Sequence, residues 1–468
     1  MAKLYIFGIG GTGSRVLRSL TMMLAAGVSV NVDEIVPIVI DPDQSNADLT
    51  ITVTLLNDYA QIHSKLTFAG GNNNTFFRAR IERILNNYTL GINDTNDKEF
   101  RQFIELSSMN MENQAMAQML FSKKNLNSSM DVGFKGNPNI GSVVLNQISN
   151  SYDFETFANS FEQNDKIFIV SSIFGGTGAS GFPLLLKTLR TSKSIPNYAN
   201  INSAVIGAIT ILPYFRLDNN DQSEIDSSTF IAKTKSALAY YEKNISTNHQ
   251  IDSLYYLGDD LTNTYENNEG GASQQNDAHL IEFMAASAIV DFCNTEHQSG
   301  STIHKELGLK KAGASVTFSD FYDGLADMLR VPLTQFILLA NCFEDKFDTL
   351  KSADIAANKT LKLTSDFYKG VFVRNLKKYL EDYKVWLKEL KENKRSLDLF
   401  NLAPGDSPFN VVTDVTPRSV RSILSNYSLF FGRFNSAAEK CNSNSEEDKL
   451  LETYAIATKR LVKEKFNF

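Results

Sequence analysis

The chain has 468 residues, of which 43% are hydrophobic, and it carries a formal net charge of −7 with a pI near 5.5. This acidic balance argues against a general DNA- or RNA-binding protein, so we expect no nucleic-acid partner. The length predicts two or three domains with sizeable cores.

The cysteines and the apolar runs indicate the cellular compartment in which the protein is expected. Cys293, Cys342 and Cys441 lie far apart without a CxxC pair, which predicts a reducing cytoplasm and neither a disulfide framework nor a zinc site. The apolar stretch LTMMLAAGVSV is shorter than the ~18 residues of a membrane span. The N-terminal residues lack the cleavage pattern of a signal peptide. We therefore expect a cytoplasmic protein with no membrane contact.

Short apolar runs alternate with amphipathic stretches over the first 260 residues. Runs rich in Ile and Val, bounded by Gly, Asp or Pro, predict buried strands at residues 3–10, 34–41, 166–173, 203–212 and 252–258. Helical patterns such as SRVLRSLTMMLAAG separate them. Near-continuous apolar strands joined by helices are typical of a parallel sheet covered on both faces. The sequence therefore predicts an α/β fold with a Rossmann-like sheet.

The last third of the chain has a different character. Leu376, Tyr383 and Leu390 lie seven residues apart in a highly charged stretch, which predicts a long amphipathic helix. EEDKLLETYAIATKRLVKEKF, near the C-terminus, predicts another. We predict a first domain over residues 1–293 and a mainly helical domain over residues 294–468, whose helices are candidates for binding a protein partner.

The first predicted strand runs into a glycine-rich loop, FGIGGTGSRVLRSL. Glycines there let backbone N–H groups approach a phosphate, and the following helix adds its positive end. With Asp41 at the end of the second strand, the loop matches the GxGxxG pattern of Rossmann dinucleotide sites. Taken alone, the loop fits a purely structural tight turn as well as it fits phosphate binding. If it does bind a dinucleotide, the chain would be an NAD or FAD enzyme. The candidate phosphate-binding residues of this loop are Gly10, Gly11, Thr12, Gly13 and Ser14.

Two further glycine loops follow. GNPNIG begins with Gly136 and Asn137 and by itself resembles an ordinary turn. GGTGASG, at residues 175–181, lies between a predicted strand and a predicted helix. The hydroxyl groups of its Thr177 and Ser180 are donors that a structural turn does not need. The sequence has no GxxxxGK(S/T) motif, which excludes a P-loop enzyme.

Taken in order, these loops resemble those of the tubulin/FtsZ superfamily. GGTGASGFP resembles the family's phosphate-binding motif, GNPNIG its γ-phosphate loop, and DPDQSN, residues 41–46, the loop that helps to hold magnesium. FtsZ usually has asparagine where this chain has Ser14 and Arg15. The resemblance covers about the first 290 residues and implies a nucleotide-binding domain for GTP or GDP with Mg²⁺. The nucleotide-binding residues implied in these loops are Gly10, Gly11, Thr12, Gly13, Ser14, Asp41, Asp43, Gly136, Asn137, Gly175, Gly176, Thr177, Gly178, Ala179 and Ser180.

The residues implied to read the base come later in the chain. IDSLYYLGDD resembles the strand that precedes the family's core helix, and AHLIEFMAASAIVDFC, residues 278–293, resembles that helix. Asp259, Asn276 and Asp277 precede it. An aspartate suits guanine because it accepts from N1–H and the exocyclic amine together. The alternative is that these are ordinary loop residues, so guanine rather than adenine rests on the resemblance.

In tubulin and FtsZ, acidic residues after the core helix reach the nucleotide site of the next subunit and position the attacking water. Asp320 and Asp323, in FSDFYDGLADML, have a spacing similar to that of FtsZ and are the catalytic candidates. The alternative is that Ser319 or Asp320 simply caps a helix N-terminus. The leading hypothesis is a GTPase that assembles head to tail into filaments. The alternative is a non-polymerising GTP-dependent switch or scaffold in a bacterial system such as antiviral defence.

Overall fold

The structure is a computed structural model of the chain. It describes residues 2–68, 70–92, 95, 97–130, 133–134, 136–217, 230–265, 271, 276–297, 301–311, 313–352, 355–405, 407–419 and 426–468. The strands in these ranges are β1 (Lys3–Ile9), β2 (Glu34–Ile40), β3 (Arg80–Ile81), β4 (Lys166–Ser172), β5 (Val205–Ile211), β6 (Arg216–Leu217), β7 (Ser253–Leu257), β8 (Thr264–Tyr265), β9 (Ile303–Glu306), β10 (Ser315–Val316) and β11 (Ser396–Leu397).

Helices connect and cover these strands. In the described ranges the α-helices are α1 (Gly10–Ala25), α2 (Ala47–His63), α3 (Phe100–Phe103), α4 (Met111–Leu120), α5 (Lys123–Leu126), α6 (Pro138–Leu145), α7 (Tyr152–Ser160), α8 (Thr177–Thr191), α9 (Tyr198–Ser203), α10 (Phe230–Tyr241), α11 (Leu280–Asn294), α12 (Asp323–Asp345), α13 (Phe347–Leu350), α14 (Ala356–Leu361), α15 (Ser365–Tyr368), α16 (Val371–Glu392), α17 (Asn426–Ala438) and α18 (Glu446–Lys465). None of them is long and apolar enough to cross a membrane.

Seven strands form one sheet in the order β3-β2-β1-β4-β5-β7-β9, and every neighbouring pair is parallel. Helices cover both faces. On one face the Phe292 ring of α11 lies 5.1 Å from Phe168 of β4, and on the other the Phe157 ring of α7 lies 5.2 Å from Tyr5 of β1. Double coverage explains why these strands are near-continuous apolar runs. The predicted α/β fold class is confirmed.

The strand order reverses between β1 and β4, which are neighbours although about 160 residues separate them in sequence. In open parallel sheets, ligands bind at the carboxyl ends of the strands at such a switch point. The first and third glycine loops follow β1 and β4 directly. The topology therefore places both loops in the crevice where a ligand is expected.

The C-terminal helices form a second apolar layer outside α1, α2 and α11. Trp386 of α16 packs on Phe283 of α11, and Tyr379 packs on Tyr59 of α2. The helix α18 contributes Tyr454 to a cluster with α12 and α17. The mainly helical C-terminal region is as predicted. The strand β9 nevertheless comes from beyond residue 293 and completes the edge of the large sheet.

Candidate functional site

The first glycine loop joins β1 to α1. Gly10 has a φ of +71°, a left-handed conformation that costs a residue with a side chain about 1–2 kcal/mol. A side chain at Gly13 would collide with the Gly8 backbone. Glycine at positions 8 and 13 therefore lets α1 pack directly against β1. Gly11 and Thr12 lie half-buried in the first turn of α1.

The third loop joins β4 to α8 and touches the first loop. A methyl group at Gly10 would lie 3.4 Å from Cβ of Thr177, the first residue of α8. A methyl group at Gly178 would lie 2.6 Å from the Ser172 carbonyl oxygen, so only glycine lets α8 begin this close to β4. The structure therefore brings together two loops that are about 165 residues apart in sequence.

The second loop completes the junction. A methyl group at Gly176 would lie 3.1 Å from the amide nitrogen of Gly136 and 3.2 Å from that of Asn137. The helix α6 begins at the next residue, Pro138. Lys233 donates from Nζ to the Gly136 carbonyl oxygen at 2.9 Å, which adds a positive charge that the sequence analysis missed. All three predicted loops thus meet at one place, which we call the glycine junction.

The glycine junction is suited to an anion. In the described part of the chain, neither α1 nor α8 has a side-chain cap at its N-terminus. Backbone N–H groups in their first turns are therefore left for an outside acceptor, and both helix dipoles direct positive charge there. Converging helix N-termini of this kind bind phosphate groups.

The predicted hydroxyl donors divide into two kinds. Ser180 donates to the Gly176 carbonyl oxygen at 2.7 Å, and Ser14 donates to Thr52 Oγ1 at 3.2 Å, so both serve contacts within the chain. Thr177 lies beside Gly10 at the centre of the junction. Ala179, between Thr177 and Ser180, and Gly175, at the start of the loop, add backbone groups only. Unlike Ser14 and Ser180, Thr177 therefore lies where the first and third loops meet.

Two buried carboxylates follow β2. Asp41 accepts from the Asp43 amide at 3.1 Å, and Asp43 accepts from Ser45 and from the Gly271 amide at 2.7 Å. Burial raises the pKa of Asp41 to about 7, because a carboxylate there lacks water. A cation would relieve that cost, and carboxylate oxygens suit Mg²⁺. Since the described residues contain no cluster of three possible metal ligands, phosphate oxygens and water would have to complete the shell.

Arg15 forms a buried charge cluster that the sequence analysis did not foresee. Its guanidinium pairs with Glu282 of α11 and with Asp48 of α2, the latter at 3.1 Å, and it lies 3.5 Å from the Tyr214 hydroxyl. Burial alone would lower the pKa of Arg15, but its partners outweigh that effect and raise it. Burial raises the pKa of Glu282, and Arg15 limits the rise. The cluster ties the first glycine loop to the core helix.

Of the predicted base-reading residues, Asn276 reaches this cluster. Its backbone N–H donates to Asp48 Oδ1 at 2.9 Å and its side-chain Nδ2 donates to Asp48 Oδ2 at 2.7 Å. Asp277 is exposed just before α11. Asp259 lies two residues after β7 and pairs with Arg395 at 2.5 Å. The structure therefore brings Asn276, and not Asp259, to the Asp48 carboxylate of the Arg15 cluster.

Asp320 and Asp323 lie at the carboxyl edge of the sheet, the same edge as the glycine junction. β9 runs parallel to the other strands, and Leu309, just after it, pairs with Phe321. The Phe321 ring lies 6.1 Å from Phe283, in the first turn of α11. Both observations place the two acids beside the start of the core helix rather than beyond its end.

This placement does not support the predicted role of Asp320 and Asp323 in the next subunit's site. A head-to-tail neighbour would meet the glycine edge with its opposite edge, where these acids do not lie. Asp320 instead accepts from the Thr317 amide at 2.8 Å as part of a capping box, and Asp323 pairs with Lys310 at 2.5 Å at the start of α12. The local, helix-capping alternative explains Asp320 better.

No family model matches the chain, and no curated protein matches it. A search of solved structures finds a GTPγS-bound protofilament of CetZ2 from Haloferax volcanii, with 14% identity and a TM-score of 0.27. It also finds CetZ from Methanosaeta thermophila, with 17% identity and a TM-score of 0.23.

Each match covers 55% of this chain. The matched region covers 49% of the CetZ2 chain and 46% of the CetZ chain, so this chain spans about half the length of each of those proteins. Both structures are from the tubulin/FtsZ superfamily.

Proposed function

We propose that the chain binds a guanosine triphosphate at the glycine junction, hydrolyses it, and assembles head to tail. The observation that carries the proposal is the meeting of three separate glycine loops at the switch point of the sheet. A Rossmann dinucleotide enzyme uses one such loop for its pyrophosphate and gives no role to the other two.

The triphosphate would lie across the first turns of α1 and α8, where uncapped N–H groups can donate to its oxygens. Thr177 would donate its hydroxyl to a phosphate, and Lys233 would add positive charge beside the second loop. Asp41 and Asp43 would hold Mg²⁺, directly or through water, against the phosphate oxygens. When bound, the cation would neutralise negative charge as the γ-phosphoryl group is transferred to water and GDP leaves.

Asn276 and Asp277 are the proposed base-reading residues, and they support guanine. The first lies at the Asp48 carboxylate, next to the helix of the first loop. The second is exposed and offers the carboxylate that matches the N1–H and amino group of guanine. The family resemblance supports the same choice.

Hydrolysis would need an acid at the opposite edge of the sheet, and Glu296 is our candidate. The helix α11 starts at the glycine edge and spans about 22 Å, and its last residue, Asn294, donates to the Ser29 carbonyl oxygen beyond the far end of α1. Glu296 is exposed two residues later. The family's acids follow the core helix, which supports Glu296 rather than Asp320 in this role.

The test is GTP turnover per molecule as a function of protein concentration. If Glu296 acts on the neighbour's nucleotide, turnover rises with concentration, and Glu296→Gln binds GTP normally but hydrolyses it about 10²–10³-fold more slowly. Asp323→Asn is the matched control, and its turnover should equal that of the wild type. Turnover that is flat with concentration would contradict assembly-coupled hydrolysis and favour the non-polymerising switch.

A further inference from the structure

The helix α4 exposes its apolar side chains to solvent. Met111, Met116, Met119 and Leu120 are between 61% and 87% exposed, whereas Ala117 is the one buried residue of the helix. With 100° between successive residues, the three methionines point away from Ala117. The helix is thus attached by its small side and presents its large apolar side outward. Exposed apolar patches of this kind mark interaction sites, and methionine adapts well to a partner surface.

The segment that carries α4 is anchored at the glycine edge. Before α4, the Leu90 amide donates to the Val39 carbonyl oxygen near the end of β2, at 2.8 Å. After α4, Gly136 abuts Gly176 at the glycine junction. Both anchors lie at the carboxyl ends of the strands, so the segment that carries α4 leaves and rejoins the molecule at that edge.

A groove of about 580 Å³ lies at the opposite edge. The helix α2 starts after β2 at the glycine edge and runs back along the sheet, so its last turn lies at the far edge. There Asn375 of α16 donates to Gln61 at 3.0 Å. The groove is bounded by the end of α2, by α15, by the first turns of α16 and by the start of α18.

The groove and the α4 segment are complementary in polarity and charge. Ile62, Phe367, Val371 and Phe372 give the groove an apolar part that matches a methionine-rich helix. Three carboxylates line the groove, Asp366, Glu446 and Glu447, against one lysine, Lys65. Lys369, beside the groove, pairs with Asp366. Directly after α4, the exposed Lys123 and Lys124 supply the opposite charge.

We infer that α4 of one copy of this chain docks into the groove of the next copy. Two different, complementary surfaces at opposite edges of one molecule form a heterologous contact, which propagates as an open chain. The inference rests on the proposed head-to-tail assembly and names the surfaces that make it. The contact lies beside the glycine junction, so assembly and nucleotide binding would occur at the same edge.

The test is sedimentation of the full chain with GTP and Mg²⁺, over a range of protein concentrations, with nucleotide affinity measured in parallel. Met116→Ser combined with Met119→Ser should raise the critical concentration for assembly about tenfold or more, and nucleotide affinity should stay at the wild-type value. Val385→Ser, which changes an exposed apolar residue of α16 outside the contact, should behave as the wild type.

A charge exchange gives an independent readout. Lys123→Glu with Lys124→Glu should weaken assembly, Glu446→Lys with Glu447→Lys should do the same, and the four changes together should restore it. A wild-type critical concentration in the methionine variant, or no restoration in the fourfold variant, would overturn this inference and leave the proposed function standing. A wild-type chain that binds GTP but stays monomeric would overturn both this inference and head-to-tail assembly, while nucleotide binding would stand.

Discussion

Replacing Arg15 by glutamine tests the buried charge cluster beneath the first glycine loop. The change leaves the carboxylates of Glu282 and Asp48 without their shared guanidinium partner in a dry environment. Removing one partner of a buried ion pair costs about 3–5 kcal/mol. Since a whole domain is stable by only about 5–15 kcal/mol, the loss is a large fraction of the free energy of unfolding.

The loss should also depend on pH in a known direction. Burial already raises the pKa of Glu282 above its ordinary value of 4.5, and removing Arg15 raises it further. A carboxyl group whose folded pKa is raised loses stability as the pH rises from the ordinary value through the folded one. The destabilisation of Arg15→Gln should therefore be smaller at pH 5 than at pH 8.

Urea unfolding at both pH values measures this effect. Lys378→Gln is the matched control, because it removes a half-exposed cation paired with Asp58 and should cost no more than about 1 kcal/mol. Combining Arg15→Gln with Glu282→Gln should recover part of the loss, since one unpaired buried charge is gone. A loss below about 1 kcal/mol that is equal at both pH values would refute the reasoning.

Four further outcomes follow from the site and the helical layer. Gly10→Ala should lower GTP affinity in calorimetry and cost about 1–2 kcal/mol of stability, whereas Gly432→Ala, which meets no neighbour, should do neither. Thr177→Val should weaken GTP binding about tenfold or more and Thr177→Ser should not; equal affinities would assign the hydroxyl no role. Asp41→Asn should abolish the extra affinity that Mg²⁺ gives to GTP, and an unchanged magnesium effect would exclude that carboxylate from the metal site. Tyr454→Ala should cost about 3–5 kcal/mol in urea unfolding, since the ring is fully buried, and a loss below 1 kcal/mol would contradict the packing.

The central strands were predictable from the sequence because their environment leaves a direct mark on it. A strand with helices on both faces must be apolar at nearly every position, and the predicted run at residues 34–41 contains β2, Glu34–Ile40. The long helix α16 was predictable for a similar reason, since its regularly spaced leucines are buried and the helix packs on α2 and α12. Helices and strands that leave a local periodic pattern in the sequence can be predicted without knowledge of tertiary contacts.

The position of Asp320 and Asp323 at the glycine edge has a physical cause that is not visible in the sequence. Their edge is fixed by the direction of β9, which has the sequence IHKE and alternates between half-buried and exposed positions at the rim of the sheet. Such a strand carries no apolar run, so no sequence pattern indicates that the chain returns to the glycine edge after α11. The Arg15 cluster was equally hidden, because its partner Glu282 lies 267 residues away.

The proposed function requires that the glycine junction hold a guanine nucleotide. The most direct measurement is chromatography of the nucleotide released when freshly purified protein is denatured, before and after loading with GTP and Mg²⁺. We expect GTP or GDP, approaching one per chain after loading, and a marked loss in Gly10→Ala. Release of NAD or FAD, or no guanine nucleotide even after loading, would contradict the proposed function.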